Sequence, residues 1–220
     1  MLLEKLKSNS LINPPSWMIG NICYMTIMGS NAYGVSSDNS DLDVYGFCMP
    51  PLSYLFPNAY GGEIEGFGRQ KKRFDQWQQH HIKSPDSKTE YDFSIYNIAK
   101  FFQLLMENNP NIIDSIFTAE HCVLQSNAIG QMVRDNRKMF LHKGLKHKFV
   151  GYAYSQKNKM ITKDHHSNEK RRADIEQFGY SLKYATHLCR LILQAEQLLV
   201  EGDLDLMKNR ELLKSIRLVS

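Results

Sequence analysis

Two short apolar runs separated by a turn-rich loop constrain the fold of this chain more than any other part of its sequence. The first run covers residues 21–28 and ends at Gly29-Ser30, and the second covers residues 41–49. Both are rich in β-branched and aromatic residues, and glycine, serine and asparagine fill the segment between them. The pattern therefore predicts two short strands on either side of a loop.

Two carboxylates, Asp41 and Asp43, are predicted to share one face of the second strand, because side chains alternate faces along a strand. Carboxylates this close repel each other, and such a pair either takes up a proton or binds a cation. Oxygen ligands on a strand suit Mg²⁺ or Mn²⁺. Upstream, Gly29 lets the backbone approach a ligand, and the turn N–H groups with the Ser30 hydroxyl can hold phosphate oxygens. Together these features indicate phosphoryl or nucleotidyl transfer.

The fuller pattern, Gly-Ser-Asn-Ala-Tyr-Gly at 29–34 followed by Ser-Asp-Leu-Asp at 40–43, resembles the nucleotidyltransferases of the DNA polymerase β superfamily. The continuation Gly-Phe-Cys-Met-Pro-Pro at 46–51 resembles the family assigned to RNA-repair pathways (RlaP-like) in bacteria and phages. An Asp-x-Asp sequence in a solvated turn is the alternative. The resemblance implies an α+β fold: a small mixed polymerase-β-like sheet with flanking helices, followed by a helical C-terminal region. We expect a catalytic core over residues 1–125 and a helical region over residues 126–220 that packs on it.

A third carboxylate is expected from residues 89–96, which alternate polar and apolar side chains as a strand does. Glu90 and Asp92 share one face of that strand. The resemblance places the third carboxylate at Asp92, with Glu90 as the fallback and an exposed strand face as the alternative. It thus implies three catalytic residues that also bind metal: Asp41, Asp43 and Asp92.

The resemblance also implies a set of nucleotide-binding residues in the loop and on a C-terminal helix: Gly29, Ser30, Tyr33, Ser40, Lys183, His187 and Arg190. The last three fall at i, i+4 and i+7, so they form one stripe of a helix. Because every amphipathic helix has a polar stripe, a solvated face is the alternative.

The reaction implied is in-line attack of an acceptor hydroxyl on the α-phosphorus of an NTP, with release of pyrophosphate. RNA is the favoured acceptor, because residues 69–73, 143–159 and 170–172 are basic and Tyr152 and Tyr154 lie among the lysines. Two alternatives stay open: transfer of AMP or another NMP to a protein or small molecule, and a non-catalytic nucleic-acid-binding protein of the same fold.

Composition narrows the class of protein further. The net charge of +4 permits a polyanionic partner without requiring one. Four scattered cysteines without a Cys-x-x-Cys pair favour reduced thiols over a zinc site. No segment reaches membrane-spanning length and the N-terminus lacks a signal-peptide core, so we expect a soluble cytoplasmic protein.

Helical periodicity predicts helices over residues 126–137, 144–163, 173–200 and 208–217, with a polar linker at 161–172. Residues 50–68, rich in proline and glycine, are predicted to be irregular. The adjacent histidines at 80–81 and 165–166 are interpreted as surface residues of polar loops rather than metal ligands.

Overall fold

A computed structural model describes residues 2–36, 41–61, 66, 72–86, 89–162 and 169–217. Within these ranges, the first part of the chain contains three short α-helices and four strands: α1 (Leu2–Ser8), β1 (Ile22–Ile27), α2 (Gly29–Ala32), β2 (Leu42–Cys48), α3 (Leu52–Leu55), β3 (Gln76–Lys83) and β4 (Glu90–Asn97). The remainder is helical apart from one strand: α4 (Ile98–Met106), α5 (Pro110–Phe117), β5 (Val123–Ser126), α6 (Ala128–Asp135), α7 (Leu145–Thr162), α8 (Glu169–Phe178), α9 (Leu182–Glu201) and α10 (Arg210–Arg217).

The strands form one mixed sheet in the order β3-β4-β2-β1-β5. Strands β2 and β4 pair in parallel at the centre, and the other neighbours are antiparallel. The predicted α+β class is therefore confirmed. The two strands predicted around the Gly-Ser loop correspond to β1 and β2, whereas β3 and β5, which form the edges of the sheet, were not predicted.

The two faces of the sheet are buried by different partners. One face packs against α1, where Leu3 and Leu6 meet Val44 of β2 and Phe93 of β4. The other face, which carries Phe47, packs against helices from α4 onward. Because side chains alternate along β2, Asp43 shares the helical face with Phe47. The site carboxylates therefore face the helices that complete the core.

This helix-side core contains residues from both sides of the predicted boundary at 125–126, such as Phe47 and Phe101 from one side and Phe149 and Leu191 from the other. Helices α7 and α9 thus share this core with Phe47 of the sheet. The division of the chain into two domains stays a prediction.

The helix predicted over residues 173–200 is two helices, α8 and α9. Gly179 takes a φ of +78° after α8, a backbone conformation that ends a helix, and the Asp174 carboxylate accepts the N–H of Leu182 (3.2 Å) as α9 begins. The predicted linker at 161–172 was wrong at both ends, since α7 reaches Thr162 and α8 begins at Glu169. Gly202 (φ +64°) ends α9.

The proline- and glycine-rich segment after β2 is less irregular than predicted. It contains α3 and a short 3-10 helix over Pro57–Tyr60. Among all helices in the described ranges, none combines the length and apolar character that crossing a lipid bilayer requires.

Candidate active site

The turn after β1 brings Gly29 against the side chain of Asp43. The Met28 N–H donates to the Asp43 carbonyl oxygen (2.7 Å), which fixes the turn to the start of β2. Gly29 has a φ of +64°, and a Cβ at this position would overlap Oδ2 of Asp43. From the sequence alone, this glycine is expected to allow the approach of a phosphate. The structure shows that the space it leaves is filled by the Asp43 carboxylate.

The carboxylates of Asp43 and Asp92 lie on adjacent parallel strands in direct register, on the same face of the sheet. Asp41 precedes β2 and is exposed. Burial raises the pKa of Asp43, the charges of Asp92 and Asp41 raise it further, and Lys183 and His80 oppose the rise. Negative charge is therefore concentrated where β2 and β4 lie side by side, and a cation would relieve the repulsion.

Two histidines of β3, His80 and His81, contact the carboxylates of Asp92 and Glu90 on the neighbouring strand. The backbone N–H of His81 donates to Oδ1 of Asp92 (2.8 Å), and Nδ1 of His80 lies 3.6 Å from the same oxygen. Nδ1 of His81 lies 2.6 Å from Oε1 of Glu90, and this hydrogen bond raises the pKa of His81. The histidines are therefore part of a strand, and their interpretation as loop residues was wrong. Glu90 pairs with His81, whereas Asp92 lies beside Asp43.

Positive charge approaches the carboxylates from α9. Lys183 is exposed at the start of this helix and acts on the charge of Asp43, and His187 lies one turn further along. Burial is the main reason that the pKa of His187 falls to about 3. Four cations from three helices lower it further: Arg190, Lys183, Arg217 and Lys159. The ring is thus neutral at physiological pH within a cationic surrounding.

Three of these cations, Lys159, Lys183 and Arg217, form no ion pair with a carboxylate of the described residues. Burial lowers the pKa of Arg217, the last residue of α10, so this guanidinium is partly desolvated. Phosphate oxygens form strong charge-assisted hydrogen bonds with such groups. Arg217 was not predicted in this role, because its contribution depends on how α10 packs against α9.

Behind the cations, Arg190 belongs to a buried network. Its Nη1 donates to Asp114, to the Tyr33 hydroxyl (2.9 Å) and to Gln194 (2.9 Å), and its guanidinium lies 4.3 Å from the centre of the Tyr33 ring. The Tyr33 hydroxyl donates to Oδ2 of Asp114 (2.8 Å). Burial raises the pKa of Asp114, and Arg190, Tyr33 and Gln194 oppose the rise. The network joins the Gly-Ser turn, α5 and α9.

The structure thus gathers most of the predicted site residues into one region, but in two layers. Gly29, the carboxylates and Lys183 form the accessible layer, and Tyr33 and Arg190 form the inner one. Ser30 follows Gly29 in α2, where its carbonyl oxygen accepts the Val35 N–H (2.9 Å). Ser40 lies outside the described residues.

The donor atoms fit a hard divalent cation. Asp43 and Asp92 supply oxygen ligands only, and they lie side by side on adjacent strands. Within the described ranges, no three His, Cys, Asp or Glu side chains converge as a preformed metal cage. Mg²⁺ does not need one, because it usually keeps several waters and binds one or two carboxylates plus substrate phosphates.

The predicted RNA-contacting segments are partly described. On α7, Tyr154 is exposed over 63% of its surface with Lys157 5.9 Å from its ring centre, so it is not a core residue. Tyr152 is exposed over 36% of its surface, and its hydroxyl accepts a hydrogen bond from the Asn109 side-chain amide (3.0 Å). Arg73 pairs with Asp75 (3.0 Å). Residues 67–71 and 163–168, which include His165-His166, lie outside the described residues.

Comparison with known proteins places these observations in a family. The profile of the family described as "RlaP: RNA repair pathway DNA polymerase beta family" matches residues 3–219. An uncharacterized 38.9 kDa protein of Enterobacteria phage T4 is 25% identical over 133 residues. That segment is 60% of this chain but only 36% of the phage protein. A nucleotidyltransferase-like protein from Exiguobacterium sibiricum 255-15 aligns over 99% of this chain and 73% of its own, with 8% identity and a TM-score of 0.37.

Proposed function

Because this chain belongs to the RNA repair pathway DNA polymerase beta family, we propose that it transfers a nucleoside monophosphate from an NTP to an acceptor hydroxyl and releases pyrophosphate. The observation that carries the proposal is the direct pairing of Asp43 with Asp92, within electrostatic reach of Lys183. Such an arrangement offers oxygen ligands for a divalent cation next to a group that binds phosphate. The proposed place of the reaction is the cytoplasm.

Asp43 and Asp92 would hold Mg²⁺ or Mn²⁺, with Asp41 at the entrance of β2 as the third ligand. When bound, such an ion neutralises phosphate charge and makes a nearby hydroxyl more acidic. Asp92 is also the candidate general base for the acceptor hydroxyl, because its Oδ1 is oriented by the His81 N–H. Glu90 is the weaker candidate, since its carboxylate is paired with the His81 ring.

The cations around His187 would bind the triphosphate. Lys183 acts on the charge of both Asp43 and His187, and Lys159 and Arg217 add positive charge around His187. Neutral His187 is suited to donate or accept one hydrogen bond without adding charge. Tyr33 and Arg190 would act indirectly, because both are committed to Asp114 and hold the Gly-Ser turn against α9.

RNA is the proposed acceptor, on two grounds. The description of the family names an RNA repair pathway, and Tyr154 and Lys157 lie next to each other on the exposed surface of α7. An exposed aromatic ring among lysines can stack a base while the lysines contact the backbone.

The proposal is tested by incubating the protein with Mg²⁺ and each α-³²P-labelled NTP in turn, with single-stranded RNA, with DNA, or without added acceptor. We expect label on RNA. Asp43→Asn and Asp92→Asn should each lower turnover at least about 100-fold, because each removes a metal-binding charge at nearly constant shape. Glu90→Gln is the matched control on the same strand face and should stay within about threefold of wild type.

Each contrary result has a distinct meaning. Label on the protein itself, with none on RNA, would replace RNA by a protein acceptor. Near-normal turnover in Asp92→Asn with loss in Glu90→Gln would exchange the roles of these two carboxylates. Absence of label with every NTP and acceptor would refute nucleotidyl transfer.

A further inference from the structure

Strand β3 contains a β-bulge directly opposite Asp92. Gln79 pairs with Phe93 and Ile82 pairs with Tyr91, so two residues of β3, His80 and His81, stand against one residue of β4. We call this pair the β3 bulge. Bulges of this kind redirect side chains and backbone groups, and they are over-represented at sheet edges and beside active sites. Strand β3 is an edge strand of the sheet.

The β3 bulge is held in a costly conformation. His81 has a φ of +58°, in the left-handed region that residues with a Cβ seldom adopt. Such a conformation costs roughly 1–2 kcal/mol relative to the right-handed one, so other contacts must hold it in place. The contacts observed at this residue are with the two carboxylates of β4. The backbone N–H of His81 donates to Asp92, and the imidazole ring of His81 forms a hydrogen bond with Glu90.

Because of the bulge, the backbone N–H of His81 donates to a side chain and not to a backbone carbonyl oxygen of the neighbouring strand. In a regular antiparallel pair, this N–H would donate to a carbonyl oxygen of the partner strand. Here it donates to Oδ1 of Asp92 at 2.8 Å. A carboxylate anchored by one fixed donor keeps its other oxygen available, and its orientation no longer depends on its own rotamer preference alone.

We propose that the β3 bulge is a positioning device for nucleotidyl transfer: the backbone N–H of His81 fixes the Asp92 carboxylate beside Asp43 so that both can bind one divalent cation. This inference rests on the proposed function. It assigns the role to the backbone of position 81 rather than to either imidazole. The structure supports this assignment because the His81 ring is directed to Glu90 and is 80% exposed.

The first test varies the backbone preference of position 81. His81→Val keeps the N–H but carries a β-branched side chain, for which a positive φ is a genuine outlier. We expect it to lower kcat and weaken Mn²⁺ binding by about 10- to 100-fold, the range typical of losing a partner that orients a metal ligand. Glycine and asparagine adopt a positive φ more readily than valine. His81→Gly and His81→Asn should therefore keep most of the wild-type kcat and Mn²⁺ affinity, although neither residue carries an imidazole.

The matched control is Gly202→Val. Gly202 also has a positive φ (64°), and it follows the end of α9 opposite to Lys183, with no described heavy atom beyond its chain neighbours within 4 Å of its Cβ position. The substitution therefore introduces the same kind of backbone strain without touching Asp92. We expect Gly202→Val to lose stability while its kcat and Mn²⁺ affinity stay within about twofold of wild type.

The second test asks whether the bulge acts through Asp92. In a double-mutant cycle with Asp92→Asn, His81→Val should have no further effect on kcat or Mn²⁺ affinity, because the group that it positions has been altered. The ¹H–¹⁵N spectra of the wild-type protein and of Asp92→Asn are also compared. Between these two spectra, the backbone amide signal of His81 should shift more than that of Gln78. This comparison needs no variant at position 81, so it remains decisive even where His81→Val does not fold.

Mn²⁺ binding is measured by titration without turnover, which separates this inference from the proposed function. Loss of Mn²⁺ affinity in His81→Val, in a protein that transfers no nucleotide, would uphold the positioning role and refute the function. Unchanged Mn²⁺ affinity and kcat in His81→Val would overturn the inference. So would equal losses in the valine, glycine and asparagine variants, because the imidazole rather than the backbone would then be responsible.

Discussion

Replacing Gly29 with alanine separates two demands on this position: a left-handed backbone and room for Asp43. Gly29 has a φ of +64°, and a Cβ there would overlap Oδ2 of Asp43. Gly61 has nearly the same φ, +70°, but beyond its chain neighbours none of the described heavy atoms lies within 4 Å of its Cβ position. Gly61→Ala thus introduces the backbone strain alone, and Gly29→Ala introduces the strain together with the displacement of a carboxylate.

The magnitudes follow from these two terms. A left-handed alanine costs about 1–2 kcal/mol, so both variants should lose roughly that much free energy of unfolding in urea. Gly29→Ala should lose about 0.5–1.5 kcal/mol more, the cost of forcing the Asp43 side chain away from its rotamer. Misplacing a reacting or metal-binding group by about 1 Å can lower turnover about 100-fold. We therefore expect Gly29→Ala to fold and to lose about two orders of magnitude in labelled-nucleotide transfer.

Gly61→Ala should transfer nucleotide within about twofold of wild type, because a Cβ at Gly61 displaces no other side chain. Turnover is measured at saturating Mg²⁺ and NTP, with both variants at a temperature where urea titration shows them fully folded. If Gly29→Ala transfers nucleotide as fast as Gly61→Ala, then catalysis does not require Asp43 in its observed position, and the assignment of the site is wrong.

Three further outcomes test the inner network, the cationic layer and the acceptor. Asp114→Asn should lower the free energy of unfolding by about 3–5 kcal/mol, because it leaves the Arg190 charge buried without its counter-ion; a loss below about 1 kcal/mol in urea would contradict a buried ion pair. His187 has a folded-state pKa of about 3, so the unfolded chain binds the extra proton and stability should fall as the pH drops from about 6.5 towards 3. Because the ring keeps some contact with solvent, we expect a change of about 1–3 kcal/mol that His187→Gln abolishes, and an identical pH profile in that variant would exclude the effect. Tyr154→Ala should weaken RNA binding by about 1–3 kcal/mol without changing the salt slope, whereas equal binding by both proteins would remove this ring from the RNA surface.

The central strands were predictable because their patterns are local. In β2, the apolar residues Val44 and Cys48 alternate with the face that carries Asp43, so both the strand and the direction of its carboxylate follow from the sequence. The start of α4 is also determined locally, because the Asn97 side chain caps this helix by accepting the Lys100 N–H (2.6 Å). The break between α8 and α9 was missed because the residues around Gly179 do not interrupt the helical pattern of apolar positions.

The contacts of the site were only partly predictable, because they join residues that are distant along the chain. The sequence shows that Asp43 and Asp92 each lie on a strand face, but their pairing depends on β4 lying parallel to β2. The position of Lys183 near Asp43 depends in turn on where α9 begins. Residue types therefore identified the chemistry, whereas partners and layers, such as the burial of Arg190 behind Lys183, required the packed structure.

Strand β3 was not predicted from the sequence because the β3 bulge, to which we attribute a function, interrupts its alternation of side chains. Trp77 and Ile82 both pack on the α1 side of the sheet although they are five residues apart, which no regular strand allows. The β3 bulge inserts one residue between them and so restores their common face. That insertion disrupts the two-residue period by which a strand is recognised, and it also releases the His81 N–H that binds Asp92. A break in alternation beside an expected carboxylate strand is thus a signal of a bulge, and here it marks the residues that orient the carboxylate.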